Sequence, residues 1–351
     1  MGIAITVLSD AKPEGVLEDT SGRVKVVECW KPDNAFSLIH AFFQIVKLRL
    51  PVVLFNLHFA VFGRGRMTNF IGFLMVGAIA LLSRILHFKT LVILHNLPDA
   101  IKTDYFGMKP SLLNRTGFLL AEKMTLWVDS VIVTTRVNKK LIEQRFRKQA
   151  IYIPHGAWML TPVGDGVPPS KKDSLLFLGY ISPAKDMSLL YRVYRGLKFK
   201  YPWLKLKLVT SPHPNFPESI EVLKEFYDID GVEYLGYKRE EELPQILRSC
   251  VALILPYSTS TGSSGVLHLV SGFGLPIVAP DLPEFRESRY DGAGILLCKD
   301  EAEMVQSIEL LINDAGLWHE LSRRSRKFAE QRSWNNVASM FLKLIESLRK
   351  G

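Results

Sequence analysis

The sequence predicts two α/β domains, each built on a doubly wound parallel sheet. Two observations predict it. Short β-branched or apolar runs alternate with helix-length segments along the whole chain. A stretch dense in Pro, Gly and charge, at 161–173, interrupts that alternation and lets it restart. The length of 351 residues is enough for two domains of ordinary size.

In the first half, strand-like runs fall at 3–8, 24–29, 52–56, 90–95 and 130–134, and helix-like stretches at 35–47, 68–87, 112–127 and 137–147. Strand–helix–strand units cross over right-handedly and give a parallel sheet. The first run alternates and is rich in β-branched residues, so it reads as a buried strand. That reading is preferred to the loose N-myristoylation pattern of Met-Gly-Ile-Ala-Ile-Thr, and no basic n-region of a signal peptide precedes it.

After the break, strands are predicted at 174–178, 204–210, 232–235, 251–256, 276–279 and 294–298. Helices are predicted at 186–200, 217–226, 241–249, from about 264, near 300–312 and at 316–331. A last helix starts after Ser333, a good N-cap. Val337, Met340, Phe341, Leu344, Ile345 and Leu348 form one apolar stripe on it. The second domain is complete by then, so docking back onto the first domain is the expected use of that stripe. The expected organisation is therefore a first domain over 1–165, a second over 172–332, and a crossing helix over 333–351.

Composition narrows the function. Hydrophobic residues make up 48%, which excludes a disordered chain. Cys29, Cys250 and Cys298 lie far apart and odd in number, so they form neither a disulfide framework nor a metal knuckle. They fit a reducing, cytoplasmic compartment. The net charge of +9 is one-sided: residues 1–150 hold 20 Lys+Arg against 11 Asp+Glu, and 151–351 hold 24 against 24. A basic first domain points to an anionic partner. No RRM, KH, helix-turn-helix or finger signature appears, so nucleic acid is not the expected partner. Residues 67–83 are uncharged, and 70–82 are wholly apolar or Gly. That run is short of the roughly 20 residues that span a bilayer. It reads as a helix buried against a sheet or lying at a membrane surface. A protein held on the inner face of the cell membrane is the expectation.

Three places carry candidate chemistry. Residues 258–280 read STSTGSSGVLHLVSGFGLPIVAP. A loop of small residues, with Thr261, Gly262 and Ser263, leads from a strand into a helix opened by Ser264, Gly265 and Val266. Free N–H groups and the helix dipole make such a helix start an anion site. In open parallel sheets, ligands lie beyond the C-terminal ends of strands, where this loop falls. The second place is FLGYISPAKD, where Gly179 ends a strand and Lys185 can meet a diphosphate as a point charge. The third is a set of strand ends in the first domain: His58 in FNLHF, His95 with Asp99 in VILHNLPD, and His155 with Gly156 in IYIPHG. Neutral imidazole exchanges protons near pH 7. No metal-ligand spacing appears.

Taken together, these places resemble the GT-B glycosyltransferases, in particular the group 1 superfamily of retaining nucleotide-sugar enzymes. The resemblance spans the chain and is strongest over 174–287. It rests on FLGYISPAK, on TGSSGVLHLVSGFGLPIVAPDLPEFRE, on Pro154-His155-Gly156 and on Ser333-Trp334 opening the last helix. It implies a GT-B fold with an interdomain cleft, transfer of a sugar from a nucleoside-diphosphate sugar, and a donor diphosphate held by Lys185 and the amides at 264–266. It implies no metal or other cofactor. His95 would lie beside the transferred sugar. In an inverting reaction His95, His58 or Asp99 could serve as base. The family's two glutamates, eight positions apart, fall on Thr261 and Leu269, and its Arg after the opening Gly is Tyr180. Stereochemistry therefore stays open. The basic, apolar first domain favours a lipid-linked acceptor, in synthesis of a surface glycan. A soluble acceptor, a sugar-nucleotide epimerase and a non-catalytic nucleotide or glycan binder are the alternatives.

Overall fold

The structure is a computed structural model that describes residues 3–10, 22–58, 61–97, 112–158, 172–214, 216–259 and 262–350. Asp99, Thr261 and residues 161–171 of the expected linker lie outside the described residues.

The first domain opens with β1 (Ile5–Ser9) and β2 (Val24–Glu28), paired in parallel as a two-stranded sheet. The expectation of a buried first strand is corrected. Ile5 is 51% exposed, because among the described residues no third strand joins the pair. Then come α1 (Ala35–Leu48), β3 (Val52–Leu57), α2 (Arg66–Leu86), β4 (Lys89–Leu94), α3 (Leu112–Thr125), β5 (Ser130–Val133), α4 (Arg136–Phe146) and β6 (Ala150–Tyr152). Strands β3 to β6 form a parallel sheet in sequence order. Sequential order with right-handed crossovers puts the connecting helices on one face. Phe73, Val76 and Ile79 of α2 accordingly pack with Val92, Leu94, Val131 and Val133. The strand-order reversal expected of double winding is therefore not seen in this sheet's described strands.

The alternate residues point the other way, as strand geometry requires. Leu91, Ile132 and Ile153 meet Val337 of the last helix, α11, with Phe341, Leu344, Ile345 and Leu348 packed around them. Apart from Met340, which is exposed, the stripe read from the sequence covers the face that the first domain's own crossovers leave bare.

The second domain runs β7 (Ser174–Leu178), α5 (Met187–Lys200), β8 (Lys205–Val209), β9 (Val232–Tyr234), α6 (Leu243–Leu247), β10 (Cys250–Ile254), α7 (Gly265–Phe273), β11 (Ile277–Pro280), α8 (Pro283–Tyr290), β12 (Ile295–Cys298), α9 (Glu301–Asn313) and α10 (Ala315–Gln331), before α11 (Trp334–Lys350). All six strands are parallel in the order β12-β11-β10-β7-β8-β9. The order reverses between β10 and β7, so their C-terminal ends flank the switch point at which ligands bind such sheets. Residues 217–226 form a 3-10 helix rather than an α-helix, entered through Pro217. The segment predicted as one helix at 241–249 is a 3-10 turn, Glu240–Glu242, followed by the short α6. Helix α8 was not predicted, since PEFRESRY is mostly polar and shows no apolar stripe.

Val337 is 2% exposed in the cluster that joins α11 to the first sheet. Val337→Ala should lower the unfolding free energy by about 1.5 kcal/mol, from two buried carbons at about 0.8 kcal/mol each, plus a cavity term. Leu342→Ala, at an exposed position of the same helix, should change it by less than about 0.5 kcal/mol. Urea titration of both variants reads the difference.

Candidate active site

Two loops meet at the switch point. The loop after β7 turns at Gly179, whose φ of +107° suits a residue without Cβ. A Cβ there would lie 3.0 Å from Val266 Cγ2 and 3.1 Å from Lys185 Nζ. The loop after β10 is bound to it: Asp186 N–H donates to the Pro256 carbonyl at 2.6 Å, Ser258 N–H to that of Ala184 at 3.0 Å, and Lys185 bridges Tyr257. Asp186 then caps α5 by accepting from Leu189 N–H.

Lys185 is partly exposed as a residue, but its ammonium is enclosed. It donates to the Tyr180 carbonyl and sits over the rings of Phe177 and Tyr257, 5.2 and 5.6 Å from their centroids. Among the described residues no carboxylate forms an ion pair with it. Burial pushes its pKa down to about 7.

Helix α7 begins at Ser264, whose Oγ accepts from Leu267 N–H at 3.3 Å. Gly265 and Val266 follow in its first turn, with unbonded amides facing the loop. Its flank is formed by first-domain residues. A Cβ on Gly265 would lie 3.6 Å from His155 Nε2. Gly262 has φ +90°, and a Cβ there would lie 2.1 Å from the carbonyl oxygen of His95. Ser263 sits between these glycines.

Three imidazoles line up beside the helix start. His155 lies 4.9 Å from His268 and 6.3 Å from His95, centroid to centroid. His155 Nδ1–H donates to the Gly156 carbonyl at 2.7 Å, which leaves Nε2 as the acceptor facing Gly265. His268 Nδ1–H donates to the Ser264 carbonyl at 2.8 Å. His95 Nε2 donates to Asn56 Oδ1 at 2.7 Å. Burial lowers all three pKa values. That of His95 falls to about 4, with help from His155 and His58, and that of His268 to about 3. The row is neutral at pH 7.

His58, at the end of β3, is exposed and lines a small cavity with Asn96, Leu97 and Glu122. The sequence reading did not single out His213. It stacks edge-on with Tyr180 at 5.7 Å, and burial, His58, Lys185 and Arg64 lower its pKa. The available signal was its place just after β8, beside β7. His268 was missed because it looks like a core residue of α7, which it also is. The structure thus brings together Lys185, Gly179, Ser264, Gly265, Val266, Gly262, His95 and His155.

The domains are also clamped away from this centre. Glu287 of α8 accepts from the backbone N–H of Arg136, at 2.7 Å, and from that of Val137. Asp291 accepts from Arg136 at 2.6 Å and from Arg332 at 2.5 Å. An acid at the N-terminus of α4 is well placed against the helix dipole.

The fold and part of the sequence are similar to those of known proteins. Residues 172–314 match the family model described as Glycosyl transferases group 1. The solved sucrose-phosphate synthase from Thermosynechococcus elongatus superposes with a TM-score of 0.70 at 18% identity, over 90% of this chain and 78% of that one. HepE from Anabaena, in complex with UDP and glucose, does so with a TM-score of 0.70 at 15% identity, over 99% and 91%. The chain has the GT-B fold, and residues 172–314 are similar to the group 1 glycosyltransferases. An uncharacterized glycosyltransferase of Haemophilus influenzae is 28% identical over 58% of this chain, and one of Methanocaldococcus jannaschii is 24% identical over 70%. Those alignments span 57% and 66% of the relatives' own lengths. In this chain the candidate site lies at the facing strand ends of two domains.

The low pKa of Lys185 gives a pH test. A bound diphosphate favours the ammonium and raises that pKa, so binding takes up a proton between about pH 7 and the raised value. Affinity is full below pH 7 and falls as pH rises through that window, by up to about tenfold per unit. The diphosphate's own last ionisation, near pH 6, is over by then. Calorimetric titration with UDP from pH 7 to 9 should show this fall, and Lys185→Arg, always charged, should flatten it.

The two glycines should separate in their effects. Gly262→Ala must displace the His95 carbonyl and strain a positive φ, so it should weaken both domain closure and diphosphate affinity. Gly265→Ala meets only ordinary contact with His155 and should leave folding intact. Thermal unfolding with and without UDP compares them.

Proposed function

We propose that the protein transfers a glycosyl group from a nucleoside-diphosphate sugar to a hydroxyl of a lipid-linked acceptor at the cytoplasmic face of a membrane, for synthesis of a surface glycan. The observation that carries the transferase reading is the switch point: one enclosed lysine, with no carboxylate partner among the described residues, faces the start of α7. That pair suits a leaving diphosphate. The acceptor oxygen bonds to the anomeric carbon, the bond from that carbon to phosphate breaks, and the acceptor proton passes to a base. Charge grows on the departing phosphate, and pre-set dipoles there supply most of the rate. In this reading Lys185 and the α7 amides do the work of a divalent cation. His95, with a pKa of about 4, suits a neutral hydrogen bond to the sugar better than proton abstraction. His58 and Asp99 remain for the base. UDP is the first donor nucleotide to test, because HepE is seen with UDP and UDP-glucose.

A second reading is favoured by Leu269. It stands at one of the two glutamate positions and packs against the hydrophobic core of the second domain. The chain could on that account bind a nucleotide without transferring a sugar.

A panel of nucleoside diphosphates tests both readings. A ligand at 100 times its Kd adds about 2.7 kcal/mol to the unfolding free energy. One diphosphate should stabilise the protein, Lys185→Ala should remove that effect while sparing nucleoside binding, and the matching sugar nucleotide should be hydrolysed slowly. Binding without hydrolysis or transfer supports the second reading. No binding by any nucleoside diphosphate defeats both.

A further inference from the structure

Helices α1 and α2 lie side by side and present apolar side chains to solvent. On α1, Phe36 is 84% exposed and Phe43 62%, with Ile39 on the same face. On α2, Met67 is 69% exposed and Ile85 72%, with Leu81 between them. Spacings of three and four residues on α1, and of fourteen (about four turns) and four on α2, put each set on one side of its helix. Between the helices runs an open groove of about 370 Å³, lined by Ile39, Phe42, Phe43, Ile71, Leu74 and Met75. By length and composition α2 could cross a membrane, but its opposite side, with Phe73, Val76 and Ile79, is committed to the first-domain core. It is therefore a helix with one buried and one exposed apolar side.

Charge says what covers the exposed side. Between Asp33 and Asp99 the sequence has no Asp or Glu, and it has Lys47, Arg49, Arg64, Arg66, Arg84 and Lys89. These cations sit at or next to the ends of α1 and α2, around the apolar side chains rather than among them. An apolar patch bordered by six cations, with Asp33 the one carboxylate next to the start of α1, complements an anionic leaflet: side chains enter the acyl boundary and cations meet headgroups. The face also begins at the cleft. Asp33, just before α1, accepts from Gly65 N–H just before α2 at 2.5 Å, and Arg64 donates to the Pro214 carbonyl of the second domain at 3.1 Å. Phe36 and Met67 thus stand at the rim.

We propose that the α1–α2 face docks on an anionic bilayer, with Phe36, Ile39, Phe43, Met67, Leu81 and Ile85 in the interface and the cleft rim held at the headgroups. It rests on the proposed function only in that a lipid-linked acceptor would enter the cleft from that rim.

The test uses the full chain and vesicles of phosphatidylcholine with increasing phosphatidylglycerol. Co-sedimentation should rise with the anionic fraction and fall with salt. Phe36→Ser/Phe43→Ser should weaken vesicle binding by at least about tenfold. Both sites are exposed, so UDP binding and the unfolding midpoint should stay unchanged and separate this result from a failure of the donor site. The native cysteines are buried. Ile85→Cys can therefore carry an environment-sensitive dye, which should shift to the blue on vesicles. The same dye at Phe199→Cys, an exposed aromatic between Lys198 and Lys200 in the second domain, should not. Absence of binding at low salt, binding that survives the double substitution, or equal shifts at both dye sites would overturn the proposal. So would a dimer that dissociates on the double substitution while vesicles stay unbound, since the face would then meet a second copy of the chain.

Discussion

The Trp334 indole lies flat on Gly156, so close that a Cβ there would fall 2.3 Å from the ring, and much of the architecture depends on that contact. It fixes the start of α11 where Ala157 N–H donates to the Arg332 carbonyl at 2.7 Å. From that point α11 can lay its stripe on the bare face of the first sheet. The same ring packs on His155, 5.5 Å away, and so holds it against His268 and the start of α7. One glycine thus links closure of the first domain's core to placement of a first-domain side chain at a second-domain helix. The buried Arg332–Asp291 pair reinforces the junction from the other side. Buried pairs of this kind set geometry more than they add stability.

Among the described residues, the electrostatics of the cleft follow from how little charge it contains. Three imidazoles are held neutral by burial, and the lysine titrates near pH 7. Such a site does not attract anions strongly at a distance. In the proposed reading, a bound anion would favour the protonated form of Lys185 and accept from the α7 amides. The departure from the family's glutamate pair has the same sense. Leu269 turns to the core, so no second-domain carboxylate at that position repels a phosphate or holds a ribose.

Much of this was legible in the chain. Alternating runs gave the strand count of the second domain, and Ser264 followed by glycine marked the N-cap of α7 because a cap is a local signal. The stripe on α11 was legible because 3.6-residue periodicity needs no partner to be seen. What the sequence hid depends on approach between distant segments. Nothing local distinguishes His268 from a core residue, or links Arg136 to Asp291 across 155 positions. Helix α8 escaped because it is mostly polar and shows no apolar stripe, and one of its acids, Glu287, serves the other domain. The exposure of β1 escaped because alternation predicts a buried face only when something is there to cover it.

The chain thus holds two sets of cations that work differently. Those of the α1–α2 face are spread around exposed helix ends and act through water, over about the 8 Å that physiological salt allows. Lys185 is enclosed by two rings and a carbonyl, where screening is weak and its own desolvation dominates. In the proposed reading the exposed set would serve the anionic surface without competing for the diphosphate, because it does not offer the dry, aligned amides that a phosphate needs. The enclosed lysine cannot draw the protein to a surface, because half its charge is gone near pH 7. The +9 excess lies wholly in residues 1–150, while residues 151–351, which hold Lys185 and the start of α7, carry no net charge.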